Sequence, residues 1–182
     1  MLRRLRHFRK AKDGLAAVEF ALIAPVMVTL LLGTVELCNA LECHQKVTML
    51  ASTSADLVAQ ASSISSTDMS NIFSATDAII YPFASANAQI VVSSIVSDGN
   101  GNGTVDWSQA QNGTALTVGG AVSVPSGLMS ASDCAKDACS VILAQVTYNY
   151  TSPIGKFLLG TVAMTDTFYA HPRRTTTVAY TG

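Results

Sequence analysis

Apolar residues fill almost every position of the stretch GLAAVEFALIAPVMVTLLLGTVELCNAL, Gly14 to Leu41, which reads as a membrane segment. Phe20 to Val35 supplies 16 residues without a charge. A helix of that length rises roughly 24 Å, slightly short of a hydrocarbon core about 30 Å thick. The wider stretch Ala16–Leu41 is more than long enough. Glu19 and Glu36 therefore fall near the two boundaries, where a carboxylate costs less than the ~2.5–3.5 kcal/mol of a charge at the centre. Glu36 is expected to reach water. Glu19, flanked by Val18 and Phe20, has no such excuse. Pro25 is tolerable within a membrane helix and would kink it modestly.

After Leu41 the period changes. Val47, Leu50, Ala51, Ser54, Leu57, Val58 and Ala61 recur at helical spacing, so the helix is expected to continue as an amphipathic second half. The segment SISSTDM interrupts the stripe and offers helix caps at Ser65, Ser66 or Thr67. A second helix is expected from there to about Ile80, ending before Pro82. From Ala88 the texture is β, with a strand on each side of the Gly/Asn cluster in AQIVVSSIVSDGNGNGTVDWSQA. Val105 and Trp107 alternate with Thr104, Asp106 and Ser108, as in a half-buried strand. Ser140–Pro153 is the strongest strand, and FLLGTVAMTDTFYA gives another whose Leu-rich start also suits a short helix. The simplest packing is an α+β fold: a long N-terminal helix, half transmembrane and half amphipathic, on an exported antiparallel sheet. The implied organisation is a basic leader at 1–14, a transmembrane helix at 15–41 and an exported domain at 42–182.

Charge orients this arrangement. Six of the eleven basic residues, Arg3, Arg4, Arg6, Arg9, Lys10 and Lys12, precede Asp13, the first acid. Basic residues ahead of an apolar run keep that end in the cytoplasm and send the remainder across. A nucleic-acid arm is the rival reading of the cluster, but the apolar run follows at once and the net charge is only −1. Contact with anionic membrane lipid suits the cluster better. Charged residues make up 13% of the chain, against about a quarter in soluble domains. A cleaved secretory signal would need small residues before the cut; Cys38-Asn39-Ala40 fits poorly, and Leu37 spoils a lipoprotein cut before Cys38.

The stretch Gly14–Leu37 resembles the N-terminal signature of TadE-like proteins, the pseudopilins of the Tad (tight adherence) type IV pilus system, with its TadE, TadF and TadG-like branches. The residues that carry the resemblance are the basic leader, Gly14, Ala17–Phe20, Ala21, Leu22, Pro25, and Gly33 with Glu36 and Leu37. FYAHPRR, Phe168–Arg174, is similar to a closing Arg-Pro-Arg-like motif, with His171 in place of the first Arg. The resemblance implies a prepilin peptidase that cuts between Gly14 and Leu15, leaving Glu19 fifth and Phe20 sixth in the mature chain. It implies that Glu19 meets the freed α-amino group of Leu15 in its own chain or a neighbouring one. Electrostatics points the same way, since a carboxylate in a low-dielectric layer becomes tolerable beside a cation. The alternative is that Glu19 snorkels to the cytoplasmic interface or is protonated.

The remaining candidate chemistry is sparse. Cys134 and Cys139 flank AKDA, and in an exported domain a disulfide closing this loop is expected; free thiols are the alternative, and a zinc site lacks a second ligand pair. Cys38 and Cys43 lie five residues apart on the helix, face different sides and cannot bridge while helical. Small apolar packing is their expected role, with intermolecular bridging a lesser option. Asp98, Asn100, Asn102 and Asp106 stand at calcium-loop spacing. Gln109 occupies the position of the bidentate carboxylate, so a plain hairpin turn is the stronger reading and no metal is expected. His7, His44 and His171 are isolated, and the sequence holds no nucleophile elbow, phosphate loop or paired-acid motif. No cofactor, nucleic acid or small-molecule substrate is expected. The partners implied are a prepilin peptidase, other pilins or Tad assembly proteins, and membrane lipid. The expected place is the bacterial inner membrane, single-pass, with the domain periplasmic and possible association with the pilus. The chief rival is an uncleaved, membrane-anchored exported binding domain.

Overall fold

The computed structural model describes residues 14–97, 102–125, 127–129, 139–152 and 160–182. Leu15–Ala59 forms one continuous α-helix, α1, of 45 residues, about 67 Å long at ~1.5 Å per residue. Pro25 lies inside it, and the Thr29 hydroxyl donates to the Pro25 carbonyl at 2.8 Å. The two halves differ completely in surroundings. From Leu15 to Val35 no side chain is buried, and Phe20, Leu22, Leu30 and Leu31 stand exposed. From Glu36 onward one face is covered: Cys43, Val47, Leu50, Ala51, Ser54, Ala55, Val58 and Ala59 are buried. Leu57, assigned to that stripe by spacing, is exposed instead.

A short strand β1, Ser63–Ile64, leads into helix α2, Ser66–Ile80. Ser65 is the N-cap. Its hydroxyl accepts from the Asp68 amide at 3.1 Å, while Asp68 Oδ2 accepts from the Ser65 amide at 3.0 Å, a reciprocal capping box. Tyr81 leaves the helical region at φ −53, ψ 135 ahead of Pro82, as the residue before a proline prefers.

The main sheet has the order β4-β3-β2-β5-β6, all neighbours antiparallel. Its strands are β2 (Ala88–Ser97), β3 (Gly103–Gln111), β4 (Ala121–Val122), β5 (Ser140–Thr151) and β6 (Thr161–Ala170). A last strand β7, Ala179–Tyr180, pairs in parallel with β1. The fold is α+β with one long helix, as the sequence pattern implies.

Both faces of the sheet carry apolar clusters. On the helix side, Ile142, Ala144, Val146, Tyr148 and Tyr150 of β5 join Ile90, Val92 and the buried stripe of α1. On the far side, Val141 and Leu143 join Ile95, Val105 and Met129, with Leu116, Val124 and Leu128 against them. That second cluster ends at Leu143. Beyond it the far face of β5 is polar, and Thr147–Thr165 and Thr151–Thr161 pair their hydroxyls with β6 at 3.2 and 3.3 Å.

One expectation about β3 is corrected here. Val105 and Trp107 are both buried, but on opposite faces. The register shifts between Ser94 and Ile95, so Trp107 faces Ser94 and Val105 faces Ile95. Asp106 is the extra residue of a β-bulge, which reverses the alternation. Trp107 thereby joins the helix-side cluster, stacks on Tyr180 with ring centroids 5.6 Å apart and donates through Nε1 to the Val178 carbonyl at 2.7 Å.

Candidate functional site

The expected processing and assembly residues all lie at the free end of α1. Gly14 directly precedes the first helical residue, Leu15, and its carbonyl accepts from the Val18 amide at 3.2 Å. Its backbone is at φ −89, ψ −8, a conformation open to any residue. A Cβ added there would meet nothing within 4 Å. Among the described residues, nothing in conformation or packing requires glycine at that position. Glu19 and Phe20 follow within about one and a half turns and are exposed. Glu19 shares a helix face with Leu15, about 6 Å along the axis. Among the described residues, no hydrogen bond or ion pair engages Glu19.

Glu36 behaves differently from expectation. It does not reach water, being only 7% exposed. Tyr150 at the end of β5 donates its hydroxyl to Glu36 Oε1 at 2.8 Å. The sheet has grown far enough down the helix to cover a carboxylate that spacing alone places at a membrane boundary. Burial, and then the hydrogen bond to Glu36, push the Tyr150 phenol up to about 12. Phe83 sets its ring edge against both Tyr148 and Tyr150, with centroids 6.3 and 6.2 Å away. Cys43, one level further along α1, is buried, and burial followed by the Glu42 charge raises its thiol to about 11. That is an inert, packed thiol rather than a nucleophile. Cys38 is free and exposed.

The sheet also grips the far part of α1. Asp166 of β6 accepts from the Thr48 hydroxyl. After β6 the chain turns back over the end of α1, where the Arg173 amide donates to the Ala59 carbonyl at 2.8 Å and its guanidinium pairs with Asp56. The FYAHPRR motif therefore closes the helix C-terminus, satisfying one of its orphan carbonyls. An open groove of about 700 Å³ runs between these segments, lined by Asp56, Leu57, Phe168, His171 and Arg173 among others.

The other candidates divide by position. Asp98 and Asn100 lie outside the described residues, as do Cys134 and His7. Asn102 precedes β3, and Asp106 is exposed at the bulge. Gly103, the turning residue of a calcium loop, is paired with Ser97 within the ladder. A Cβ on Gly103 would lie 2.6 Å from Ile95 Cγ2 and 2.9 Å from the Val122 carbonyl, which explains glycine there by packing. Among the described residues, no group of three or more His, Cys, Asp or Glu is placed to hold a metal. Cys139 immediately precedes β5 and is not among the free cysteines.

Sequence reasoning missed the Glu36–Tyr150, Thr48–Asp166 and Asp56–Arg173 contacts. Each joins α1 to a residue more than a hundred positions away, and no local period encodes such pairs. The one available signal was a carboxylate in an apolar run, which asks for a donor.

The family model of TadE-like protein matches residues 14–56. The match begins at Gly14 and runs through the free half of α1 to Asp56, under a quarter of the chain. No curated protein and no solved structure matches. The helix is long and apolar enough to cross a membrane, and fits a single-pass anchor in a pilus-system protein.

Proposed function

We propose that this chain, TadE-like over residues 14–56, is a structural pseudopilin or assembly component of a Tad-type adhesion pilus. A prepilin peptidase cuts it between Gly14 and Leu15. The basic leader stays in the cytoplasm, α1 crosses the inner membrane, and the sheet domain lies in the periplasm. The chain performs no reaction of its own; it is the substrate of the peptidase and a partner of other pilins or Tad assembly proteins.

The observation that carries this reading is the setting of Gly14. Among the described residues glycine is not needed there for conformation or for packing, and the TadE-like match begins at this residue, which supports recognition from outside the chain as the reason for it. A cut there frees an α-amino group on Leu15, and Glu19 stands one turn away with no intrachain partner among the described residues. In a lipid layer that carboxylate requires a cation, which the new amine supplies in its own chain or the next. The expected Cys134–Cys139 bridge belongs to this proposal, since an exported domain matures where disulfides form.

The reading is tested by expressing Glu19→Ala alongside the pilus machinery. The variant should insert into the membrane normally and yield no pili; normal pilus output would sink the assembly role. Peptide mapping without reductant should recover Cys134 and Cys139 in one linked fragment.

A further inference from the structure

The exposed apolar surface of α1 extends past the end of its free half. The domain begins to cover the helix at Glu36, yet Leu37 and Leu41 remain exposed, and Glu42 is the first exposed charge after them. Over Glu36–Leu41, about 9 Å of helix, lipid-type surface and domain stand side by side. The free stretch Leu15–Val35 rises about 31 Å, which already fills a hydrocarbon core of ~30 Å. The overlap therefore falls in the next layer, where headgroups occupy roughly 5–7 Å on each side.

The part of the domain at that level is fixed by contacts. Tyr150 bonds Glu36, and Val162 is the register partner of Tyr150 across β5 and β6. Thr161, the first residue of β6, pairs with Thr151. Phe83 packs on Tyr150, and Tyr81 stands two residues before it, 75% exposed. Val162 is 45% exposed although it lies on the helix side of the sheet. Tyr148 and Tyr150 are buried in the core, whereas Tyr81 is exposed, and an exposed tyrosine favours the headgroup level because its ring is apolar and its hydroxyl wet.

We infer that this end of the domain, with Tyr81, Thr161 and Val162 beside Leu37 and Leu41, rests in the phospholipid headgroup layer of the membrane that α1 crosses. The inference rests on the anchor reading of α1. It makes the domain a body seated on the bilayer before assembly rather than one held clear of it on a stalk. The Tyr150–Glu36 bond then holds the seat, since it fixes the level at which sheet meets helix.

The test uses the full chain in phosphatidylcholine vesicles containing lipids brominated either near the headgroup or deep in the acyl chain. Val162→Trp and the more conservative surface change Thr161→Trp report the seat, and Val28→Trp reports the span. Trp107 serves as an internal reference, because its partner Ser94 faces Ile142, roughly 27 Å along β5 from Tyr150. Both seat probes should lose most of their added emission to shallow bromines, Val28→Trp should lose it to deep bromines, and Trp107 should be unaffected. Unquenched seat probes beside a quenched Val28→Trp overturn the inference and leave the anchor intact. An unquenched Val28→Trp removes the anchor and the inference together. Quenching of Trp107 as strong as that of the seat probes also overturns it, since the domain would then not sit on this end.

Discussion

Between Leu15 and Val35, α1 buries no side chain; between Glu36 and Ala59 it buries nine. The backbone is the same continuous helix, and the residues of the first half are the more apolar. Hydrophobicity alone therefore does not decide what the fold covers. In the second half the buried positions share one face, and Glu42 and Gln45 stand exposed on the other. That asymmetry gives the sheet one surface to cover and water another. The first half offers no such division and suits lipid on every side. The same contrast separates the two acids. Glu36 is held by the domain, while Glu19 has no hydrogen bond or ion pair among the described residues.

Leucine truncation should break the symmetry of the two halves most strongly. Leu50→Ala removes a fully buried side chain facing the sheet and should cost about 2–5 kcal/mol. Leu31→Ala, exposed in the free half, should leave domain stability unchanged. Unfolding in detergent micelles, followed through the buried Trp107, measures both.

The two acids provide the next test. Tyr150→Phe deprives the buried Glu36 carboxylate of its phenol donor and should cost about 1.5–3 kcal/mol. Glu19→Ala should cost the domain nothing. The pH dependence follows from the same group. Folding raises Tyr150 from its ordinary 10.0 to about 12 and Cys43 from 9.0 to about 11, so the folded state holds both protons more tightly. Their contribution is complete below about pH 9 and is lost as pH rises through 9 to 12. Tyr150→Phe should flatten the upper part of that decline, and Cys43→Ser the lower part.

Two glycines give a comparison of opposite sign. Gly103→Ala drives a methyl into Ile95 and the Val122 carbonyl and should destabilise by about 1–3 kcal/mol. Gly33→Ala meets open space and should stiffen the free half, gaining roughly 0.5–1 kcal/mol of helix stability. The smallest effect is expected at the closing motif. The Arg173–Asp56 pair is solvent-exposed, so Arg173→Ala should cost no more than about 1 kcal/mol, while the backbone bond to Ala59 persists.

Much of the fold was legible in the sequence because it is written locally. The stripe Val47, Leu50, Ala51, Ser54 and Val58 gave the docked half, the caps offered at Ser65, Ser66 or Thr67 gave the start of α2, and the run from Ser140 gave β5. Where reading failed, two levels competed. Val105 and Trp107 look like one face of a strand, but a bulge at Asp106 sends them to opposite faces, and only a sheet covered on both sides reveals that. Glu36 looked like a boundary residue because its partner, Tyr150, is distant in sequence. At the candidate site, the roles of Gly14, Leu15, Glu19 and Phe20 come from the resemblance and belong to the proposal. What the structure adds is that, among the described residues, neither packing nor backbone conformation requires glycine at position 14.

The central claim is that α1's free half is a processed anchor rather than a permanent one. Intact-mass and N-terminal analysis of the chain extracted from membranes of a host carrying the prepilin peptidase tests it directly. The account predicts a mature chain beginning at Leu15, and retention of the leader when Gly14 is replaced by a bulky residue. A membrane-extracted wild-type chain that still carries the residues before Gly14, with the peptidase active, would contradict it.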